Sequence, residues 1–480
     1  MCIRKRNAGL KTVALFVLVF SLLIGGLATG NPAEAAEQEV VNANQWTDTS
    51  GNPIQAHAGG VIKEGNYYYW IGVERNNDAG WTFKKINMYR SADLKNWDFL
   101  STILTQSSHP DLNWCKIERP KIIYNASTGK YVMWMHYEEG DNYNLAHAAI
   151  AESSTIDGNY TFIQHFRPLN THMSRDSTLF KDDDGTAYFI SAANGNADLN
   201  VYRLSSDYLS IDSLVATLWP GSYREAPAMV KRNGYYYLLT SGATGWNYNQ
   251  AKYAYSSNIA SGWSSLINIG SPSTYESQGN YILPVAGTNG TSYLYMADRH
   301  AGAFGEHFNF GKYVWHEIQF NSDTNLIMTW YPKLSIDTST GIIDKATGNL
   351  DTGVGIKKDF GSDNTYFSIS YSGEYLYMNT VKSVESTWEK VNVDGTYFHL
   401  KHKSTGKYLH NDPAINNKLN LVGTQWTGPN VQWKLVDAGN GYYRIEHKAS
   451  GKWLHSWNYG ANLTLQPKTK TGDGTMWLLD

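Results

Sequence analysis

Hydrophobic and polar residues alternate between residues 45 and 343 in short runs that predict β-strands separated by turns. Five segments share one pattern, in which a glycine turn precedes a strand rich in aromatic residues. The five glycines are spaced 64, 56, 49 and 56 residues apart: Gly65, Gly129, Gly185, Gly234 and Gly290. Each segment is typical of a β-hairpin, and no long amphipathic helix interrupts the series. Five units, each long enough for four strands, predict an all-β, five-bladed β-propeller.

A second repeat follows in the C-terminal part. The phrase from His402 to His410 recurs 45 residues later, from His447 to His455, and a weaker copy stands at 372–376. Three tryptophans keep nearly the same step and are expected in the core: Trp388, Trp433 and Trp477. Three short repeats predict a β-trefoil with an abbreviated first repeat. Trp457 and Tyr459 are expected to be exposed platforms for a sugar.

Residues 1–36 predict a secretory signal peptide. Basic residues precede the apolar run 12–27, and small residues follow at 33–36, as at a cleavage site. The predicted order is a signal peptide (1–36), a propeller (37–343), a linker (344–363) and a trefoil (364–480). We therefore expect a secreted, extracellular protein, with a retained N-terminal anchor as the alternative. Cys115 would then be the one cysteine of the mature chain, and we expect a buried thiol rather than a disulfide.

The composition fits a strand-rich fold first and is compatible with a sugar as partner. A net charge of −3 in 480 residues gives no sign of a nucleic-acid partner, and no segment after the signal is apolar enough for a membrane span. The chain has 17 Trp and 34 Tyr. Aromatic rings suit strands, and they also stack on the apolar faces of pyranoses. We expect a monomer that acts on a polysaccharide.

Polar clusters precede the glycine turns at a similar phase of each repeat. They contain Gln55 and His57, then Glu118, Asp176, Glu225 and Gln278. Because the first strand of each propeller blade lines the central axis, we expect these side chains to meet in one pocket. Pro227 is expected to hold Ala226 in an extended conformation and so to keep Glu225 on stiff backbone.

Convergent carboxylates in a strand-lined pocket are what glycosidic cleavage needs. One carboxylic acid protonates the leaving oxygen, while another group activates water from the opposite face. The chain has no His-Glu-x-x-His zinc motif, no phosphate loop and no Gly-x-Ser-x-Gly elbow. The residues call for no cofactor and identify no metal ligands, and they leave a structural calcium ion open.

Residues 50–340 resemble glycoside hydrolase family 43, whose members are five-bladed propellers that invert the anomeric carbon. The phrases that carry the resemblance are Gln55-Ala-His-Ala-Gly-Gly, Glu118-Arg-Pro-Lys, Ser174-Arg-Asp, Arg224-Glu-Ala-Pro-Ala, Thr240-Ser-Gly-Ala-Thr-Gly-Trp and Ser277-Gln. Together they resemble the exo-β-1,3-galactanase branch. The tail resembles ricin-type trefoil modules such as carbohydrate-binding module family 13.

The resemblance implies roles for the pocket residues. Glu225 would be the general acid, while Glu118 and Asp176 would hold the terminal sugar and tune the acid. The family's usual aspartate base is absent from the first blade, as in this branch, and Gln278 resembles the residue proposed to replace it. Because imidazole has a pKa near neutral pH, His57 accepts a proton more readily than the Gln278 amide does. Alternatively, His57 and Gln278 only form hydrogen bonds to the substrate.

The remaining site residues are expected to bind substrate. They are Gln55, Thr244 and Trp246, although Trp246 could equally serve packing. The chain departs from the branch at His300, where tryptophan is common.

The sequence thus predicts a secreted, inverting exo-β-1,3-galactanase that releases galactose from the β-1,3-galactan of arabinogalactan. One alternative is another family 43 glycosidase, an arabinofuranosidase, xylosidase or galactofuranosidase. A different class is a non-catalytic, glycan-binding lectin, which the missing aspartate base favours and the setting of Glu225 disfavours.

Overall fold

The structure is a computed structural model. It describes residues 39–42, 45–77, 80–271, 273–304, 307–329, 331, 333–345, 354–360, 363–369, 376–379, 386–403, 405–411, 419–439, 442–456, 463–471 and 475–479. The predicted signal peptide and the predicted platforms Trp457 and Tyr459 lie outside these residues. Within them, the helices are short 3-10 turns: Pro110–Leu112, Pro168–Asn170, Ala301–Phe304, Phe308–Phe310 and Pro429–Val431. None of the described helices is long and apolar enough to cross a membrane.

The N-terminal region is built from antiparallel sheets, as the alternating pattern predicts. Strand β1 spans Glu39–Val41. The first four-stranded sheet contains β2–β5, which span His57–Glu64, Tyr67–Arg75, Phe83–Ser91 and Asp98–Thr105. The second contains β6–β9, which span Cys115–Asn125, Lys130–Glu139, His147–Ser153 and Thr161–Phe166.

Three further sheets repeat this arrangement. The third contains β10–β13, which span Ser177–Lys181, Ala187–Ala193, Asp198–Leu204 and Ile211–Leu218. The fourth contains β14–β17, which span Arg224–Arg232, Tyr235–Gly242, Lys252–Ser256 and Ile267–Asn268. The fifth contains β18–β21, which span Gln278–Gly287, Gly290–Arg299, Lys312–Ser322 and Asn325–Met328. The first strands β2, β6, β10, β14 and β18 contact one another in a closed ring, as in a propeller.

The five predicted hairpin glycines occupy equivalent turns. Each lies at the turn between the first and second strands of its sheet, and all five have positive φ: Gly65 (58°), Gly129 (67°), Gly185 (86°), Gly234 (79°) and Gly290 (128°). A glycine adopts this backbone at no steric cost. The repeat read from the sequence is therefore a structural repeat.

The predicted blade count was wrong, because the residues that the structure describes in this region form six sheets rather than five. The sixth has three strands, in which β1 pairs with β22 (Lys333–Asp337) and β22 pairs with β23 (Ile342–Lys345). It joins two distant parts of the chain and lacks the glycine–aromatic hairpin on which the count rested. A search for that repeat therefore could not detect it.

The described residues of the C-terminal part form a nearly closed sheet of β-trefoil type, with twelve strands among them. Strands β24–β35 span Val354–Phe360, Asp363–Ile369, Leu376–Asn379, Thr387–Asn392, Phe398–His402, Tyr408–Asn411, Leu419–Val422, Trp433–Gly439, Tyr442–His447, Trp453–His455, Thr464–Gln466 and Leu478–Leu479. Strand β24 lies inside the range predicted as a linker and pairs with β25, β27 and β35. The first strand of this sheet therefore begins earlier than the sequence suggested.

The repeated tryptophans form the core of this sheet. Trp388, Trp433 and Trp477 are completely buried in one apolar cluster. The indole of Trp433 donates to the Leu409 carbonyl at 3.0 Å, and that of Trp477 donates to the Leu454 carbonyl at 3.1 Å. The two repeats thus use the same core contact.

Trp433 and Trp426, seven residues apart, allow the effect of burial on stability to be measured for one residue type. Trp433→Ala should lower the unfolding free energy of the C-terminal part by about 3–5 kcal/mol, because it leaves a cavity. Trp426 is 49% exposed, so Trp426→Ala should cost less than about 1 kcal/mol. Calorimetry on both variants measures the difference, and equal losses would show that Trp433 does not carry this core.

Candidate active site

A cavity of about 230 Å³ lies where the polar clusters of the inner strands meet. Five of its lining residues come from the sequence prediction: Glu118, Asp176, Glu225, Trp246 and Gln278. The others are Ala58, Val73, Arg75, Ile117, Arg119, His136, Tyr143, Arg175, Asn196, Gly245, His300 and Phe308. Residues that lie as much as 250 positions apart in the chain therefore share one pocket.

A repeated backbone irregularity aims the inner strands at this cavity. The residue after His57, Glu118 and Glu225 has positive φ in each case: 55° at Ala58, 55° at Arg119 and 50° at Ala226. A register shift follows directly in all three strands, as in a β-bulge that re-aims a side chain.

The expected extended conformation of Ala226 is wrong. Its φ is 50°, because the bulge requires a left-handed residue there despite the proline that follows.

Glu118 is held as an anion. Arg75 and the Tyr143 hydroxyl both donate to its Oε1, the latter at 2.8 Å, and His136 Nδ1 lies 3.1 Å from its Oε2. Burial opposes ionisation, but Arg75 and His136 outweigh it and hold the pKa of Glu118 well below its usual value. The same contact, with a second from Glu138, outweighs burial and raises the pKa of His136 to about 9.

Asp176 is also paired with a cation. Arg119 Nη2 lies 2.8 Å from Asp176 Oδ2, and the same oxygen accepts the Ala226 N–H at 3.2 Å. The other guanidinium nitrogen of Arg119 donates to Gly279 O at 2.6 Å and to Asn280 Oδ1 at 2.7 Å. The Asp176 side chain therefore contacts the backbone directly after Glu225.

Glu225 differs from both, because no described side chain forms an ion pair with it. Its Oε1 accepts from Gln278 Nε2 at 2.9 Å, and its Oε2 accepts from Asn196 Nδ2 at 3.1 Å. Burial, followed by the charge of Asp176, raises the pKa of Glu225 to about 8. At neutral pH this carboxyl therefore keeps its proton, whereas Glu118 does not.

The Gln278 amide has a defined orientation. Its Oε1 accepts from Arg119, which has donors only, so its Nε2 must face Glu225 and Ser241. Ser241 Oγ lies 2.9 Å from that nitrogen. Gln278 thus links the buried arginine to the protonated carboxyl.

Three of the expected site residues do not line the cavity. His57 is 2% exposed, stacks on Tyr313 and bonds Gln55 Oε1 at 3.2 Å. Gln55 donates in turn to Asn309 O at 3.0 Å. Thr244 is exposed and its hydroxyl bonds the Asn247 carbonyl at 2.5 Å. Burial lowers the pKa of His57 to about 4, so its ring is neutral.

Sequence reasoning missed four polar residues of the lining. They are Arg75, His136, Tyr143 and Asn196, which all touch Glu118 or Glu225. None belongs to a polar cluster at a strand entry, where the search was made. The one available signal was their polarity inside aromatic strands or glycine-rich turns.

Cys115 is completely buried, as expected, and burial raises the pKa of its thiol to about 12.

One group in the described residues is close enough to bind a metal ion. The ligand atoms of Glu118, His136 and Asp176 lie within 4.8 Å of one another. Each is already engaged, since Arg75 and Arg119 neutralise the carboxylates and His136 bridges Glu118 and Glu138. The set therefore fits an internal ion-pair network better than a cation site.

A propeller whose axial pocket holds one protonated carboxyl group beside two carboxyl groups that are each paired with an arginine is the arrangement of a glycoside hydrolase. Residues 51–269 match glycosyl hydrolases family 43, and residues 385–466 match the ricin-type beta-trefoil lectin domain-like family. The chain is 43% identical to an exo-β-1,3-galactanase from Clostridium thermocellum, with a TM-score of 0.65 over 92% of this chain and 99% of that one. The chain belongs to glycosyl hydrolases family 43.

Two more distant relatives differ in the activity for which they are named. An exo-β-1,3-galactanase from Phanerochaete chrysosporium, solved with galactose, is 25% identical, with a TM-score of 0.61 over 92% of this chain and 93% of that one. An extracellular endo-α-(1→5)-L-arabinanase from Bacillus subtilis is 24% identical over 38% of this chain, which spans 57% of that relative. Similarity at this level shows the fold, and the substrate has to be inferred from the residues of the site.

Asp176→Asn tests the origin of the raised pKa of Glu225. Loss of the negative charge, and release of Arg119 toward Glu225, should lower that pKa by about one unit. Glu225 would then lose its proton at lower pH. A ¹³C NMR titration of the glutamate carboxyls, assigned with Glu225→Gln, measures the shift. Asp182→Asn, at the far end of the same sheet, is the control and should leave the titration unchanged. An unshifted Glu225 in Asp176→Asn would rule out Asp176 as a source of the raised pKa.

Proposed function

We propose that this protein is an exo-β-1,3-galactanase that releases galactose from the non-reducing ends of β-1,3-galactan. The observation that carries the proposal is Glu225, the one cavity carboxyl that no described cation neutralises. It retains a proton near neutral pH and can give it to the leaving glycosidic oxygen. The similarity to two exo-β-1,3-galactanases, one of them at 43% identity, supports galactan as substrate.

The size of the cavity supports exo action. Its volume of about 230 Å³ is below the ~300–1,000 Å³ of pockets for drug-sized ligands. It suits one terminal sugar better than a chain that runs through. We assign Glu118 and Asp176 to the hydroxyls of that sugar, because an ionised carboxylate accepts hydrogen bonds strongly. Trp246, whose ring lies 5.2 Å from that of His300, offers an apolar wall.

Inversion, secretion and a polysaccharide partner complete the proposal. Family membership is consistent with inversion, and the matched trefoil module is consistent with a polymeric carbohydrate such as arabinogalactan. The signal peptide predicted for residues 1–36 would export the protein. We expect the exported protein to act as a monomer. We assign Gln278 to positioning the acid, because its Nε2 donates to Glu225 Oε1.

Glu225→Gln should separate acid catalysis from binding. Hydrolysis of β-1,3-galactan should fall by about 10²–10⁴-fold, because the leaving oxygen no longer receives a proton. Hydrolysis of β-D-galactosyl fluoride, whose leaving group needs little protonation, should fall far less. Calorimetric binding of β-1,3-galactotriose should persist. Equal losses on both substrates would remove Glu225 from the acid role.

The substrate and the stereochemistry are tested on the unaltered protein. Incubation with β-1,3-galactan should release galactose, and ¹H NMR should detect the α-anomer first if the reaction inverts. Arabinan, xylan and galactofuranosides are the controls for the other activities of the family. Faster release of arabinose or xylose would favour those activities, and binding without product would favour a lectin.

A further inference from the structure

The cavity contains a histidine beside the amide that contacts the acid, and the roles proposed above leave it unused. His300 lines it, is 8% exposed and places Nε2 3.0 Å from Gln278 Oε1. Its ring forms an edge contact with Trp246. His57, which the sequence offered as a base, lies outside the lining. His300 is therefore the histidine that contacts the Gln278 amide.

The hydrogen bonds determine the tautomer of His300. Arg119 can only donate, so Gln278 Oε1 is an acceptor, and His300 Nε2 must carry the hydrogen that it shares with this oxygen. A neutral imidazole has one N–H, so Nδ1 keeps its lone pair. Within the part of the chain that the structure describes, no residue donates to Nδ1. A base site thus remains available on the ring.

The Gln278 amide separates His300 from the acid, and an inverting enzyme needs its acid and base apart. Gln278 itself touches Glu225, at 2.9 Å, which leaves no room for a sugar between the two. One amide and a second hydrogen bond of 3.0 Å separate Glu225 from His300, so the two side chains contact opposite atoms of the same Gln278 amide. Inverting carboxyl pairs stand ~6.5–9.5 Å apart to admit the sugar and a water.

We propose that His300 Nδ1 is the general base that takes the proton from the attacking water, and that Gln278 is the amide that positions both His300 and Glu225. Water loses a proton to Nδ1 while its oxygen bonds to the anomeric carbon. The bond from that carbon to the leaving oxygen breaks, and this oxygen receives the proton of Glu225. Solvent then restores the neutral imidazole and the protonated carboxyl.

The basicity of His300 is compatible with this role. Burial, then the charge of Arg119, lowers the pKa of His300 to about 3, with His57 and Arg75 acting in the same direction and Glu118 against them. The ring is therefore unprotonated and ready at neutral pH. A carboxylate base has a pKa of about 4 in water, so His300 is nearly as basic as the aspartate of other family members. An amide is far less basic.

Two variants and a rescue test the proposal, which rests on the proposed galactosidase activity. His300→Gln keeps a donor for Gln278 Oε1 but has no basic nitrogen, so kcat on β-1,3-galactan should fall by about 10²–10⁴-fold with KM within about threefold. His300→Ala should lose kcat similarly and open space for sodium azide. With β-D-galactosyl fluoride, azide should then restore turnover and yield α-galactosyl azide. Melting temperature and binding of β-1,3-galactotriose serve as folding controls.

The outcomes distinguish the two proposals. Wild-type protein that releases no galactose would overturn the proposed function itself. Active wild-type protein together with His300→Gln within threefold of its kcat would overturn only the role of His300. Rescue of Gln278→Ala by azide, without rescue of His300→Ala, would give the base to Gln278 instead.

Discussion

The guanidinium of Arg119 is the contact on which the site depends. It is 4% exposed and bonds Asp176, the Gln278 amide, the Gly279 carbonyl and Asn280. These partners belong to, or directly precede, two other inner strands of the ring, so one side chain ties three sheets together. Removing one member of a buried charge pair typically costs about 3–5 kcal/mol. The pocket is therefore an integral part of the propeller core.

The three carboxyl groups of the cavity differ in whether a neighbouring cation compensates their charge. Arg75 and His136 neutralise Glu118, and Arg119 neutralises Asp176. Glu225 receives only amide donors, and burial keeps its proton in place. Similar residue types are thus paired with cations in two positions and left with a proton in the third. The difference arises from the neighbours that the fold supplies, since a pKa depends on burial and nearby charge.

Part of this arrangement could be predicted from the sequence. The glycine turns marked five hairpins, and the phase of the polar clusters brought Glu118, Asp176, Glu225 and Gln278 together, since hairpin geometry and strand alternation are local. The sixth sheet escaped because its strands come from distant segments. The left-handed backbone at Ala226 escaped because a bulge depends on the partner strand. His57 was misjudged because only the packing of Tyr313 and Phe308 turns its ring away from the cavity.

By itself, the sequence determined the all-β class, the two repeats, the hairpin turns and which polar residues enter the inner strands. Those features follow from periodicity and turn chemistry, which act over a few residues. Only the tertiary structure decided which carboxyl lacks a cation, how the Gln278 amide points and which histidine reaches it. These properties depend on contacts between strands that are far apart in the chain, and distance in space, together with exclusion of water, sets the strength of charge interactions.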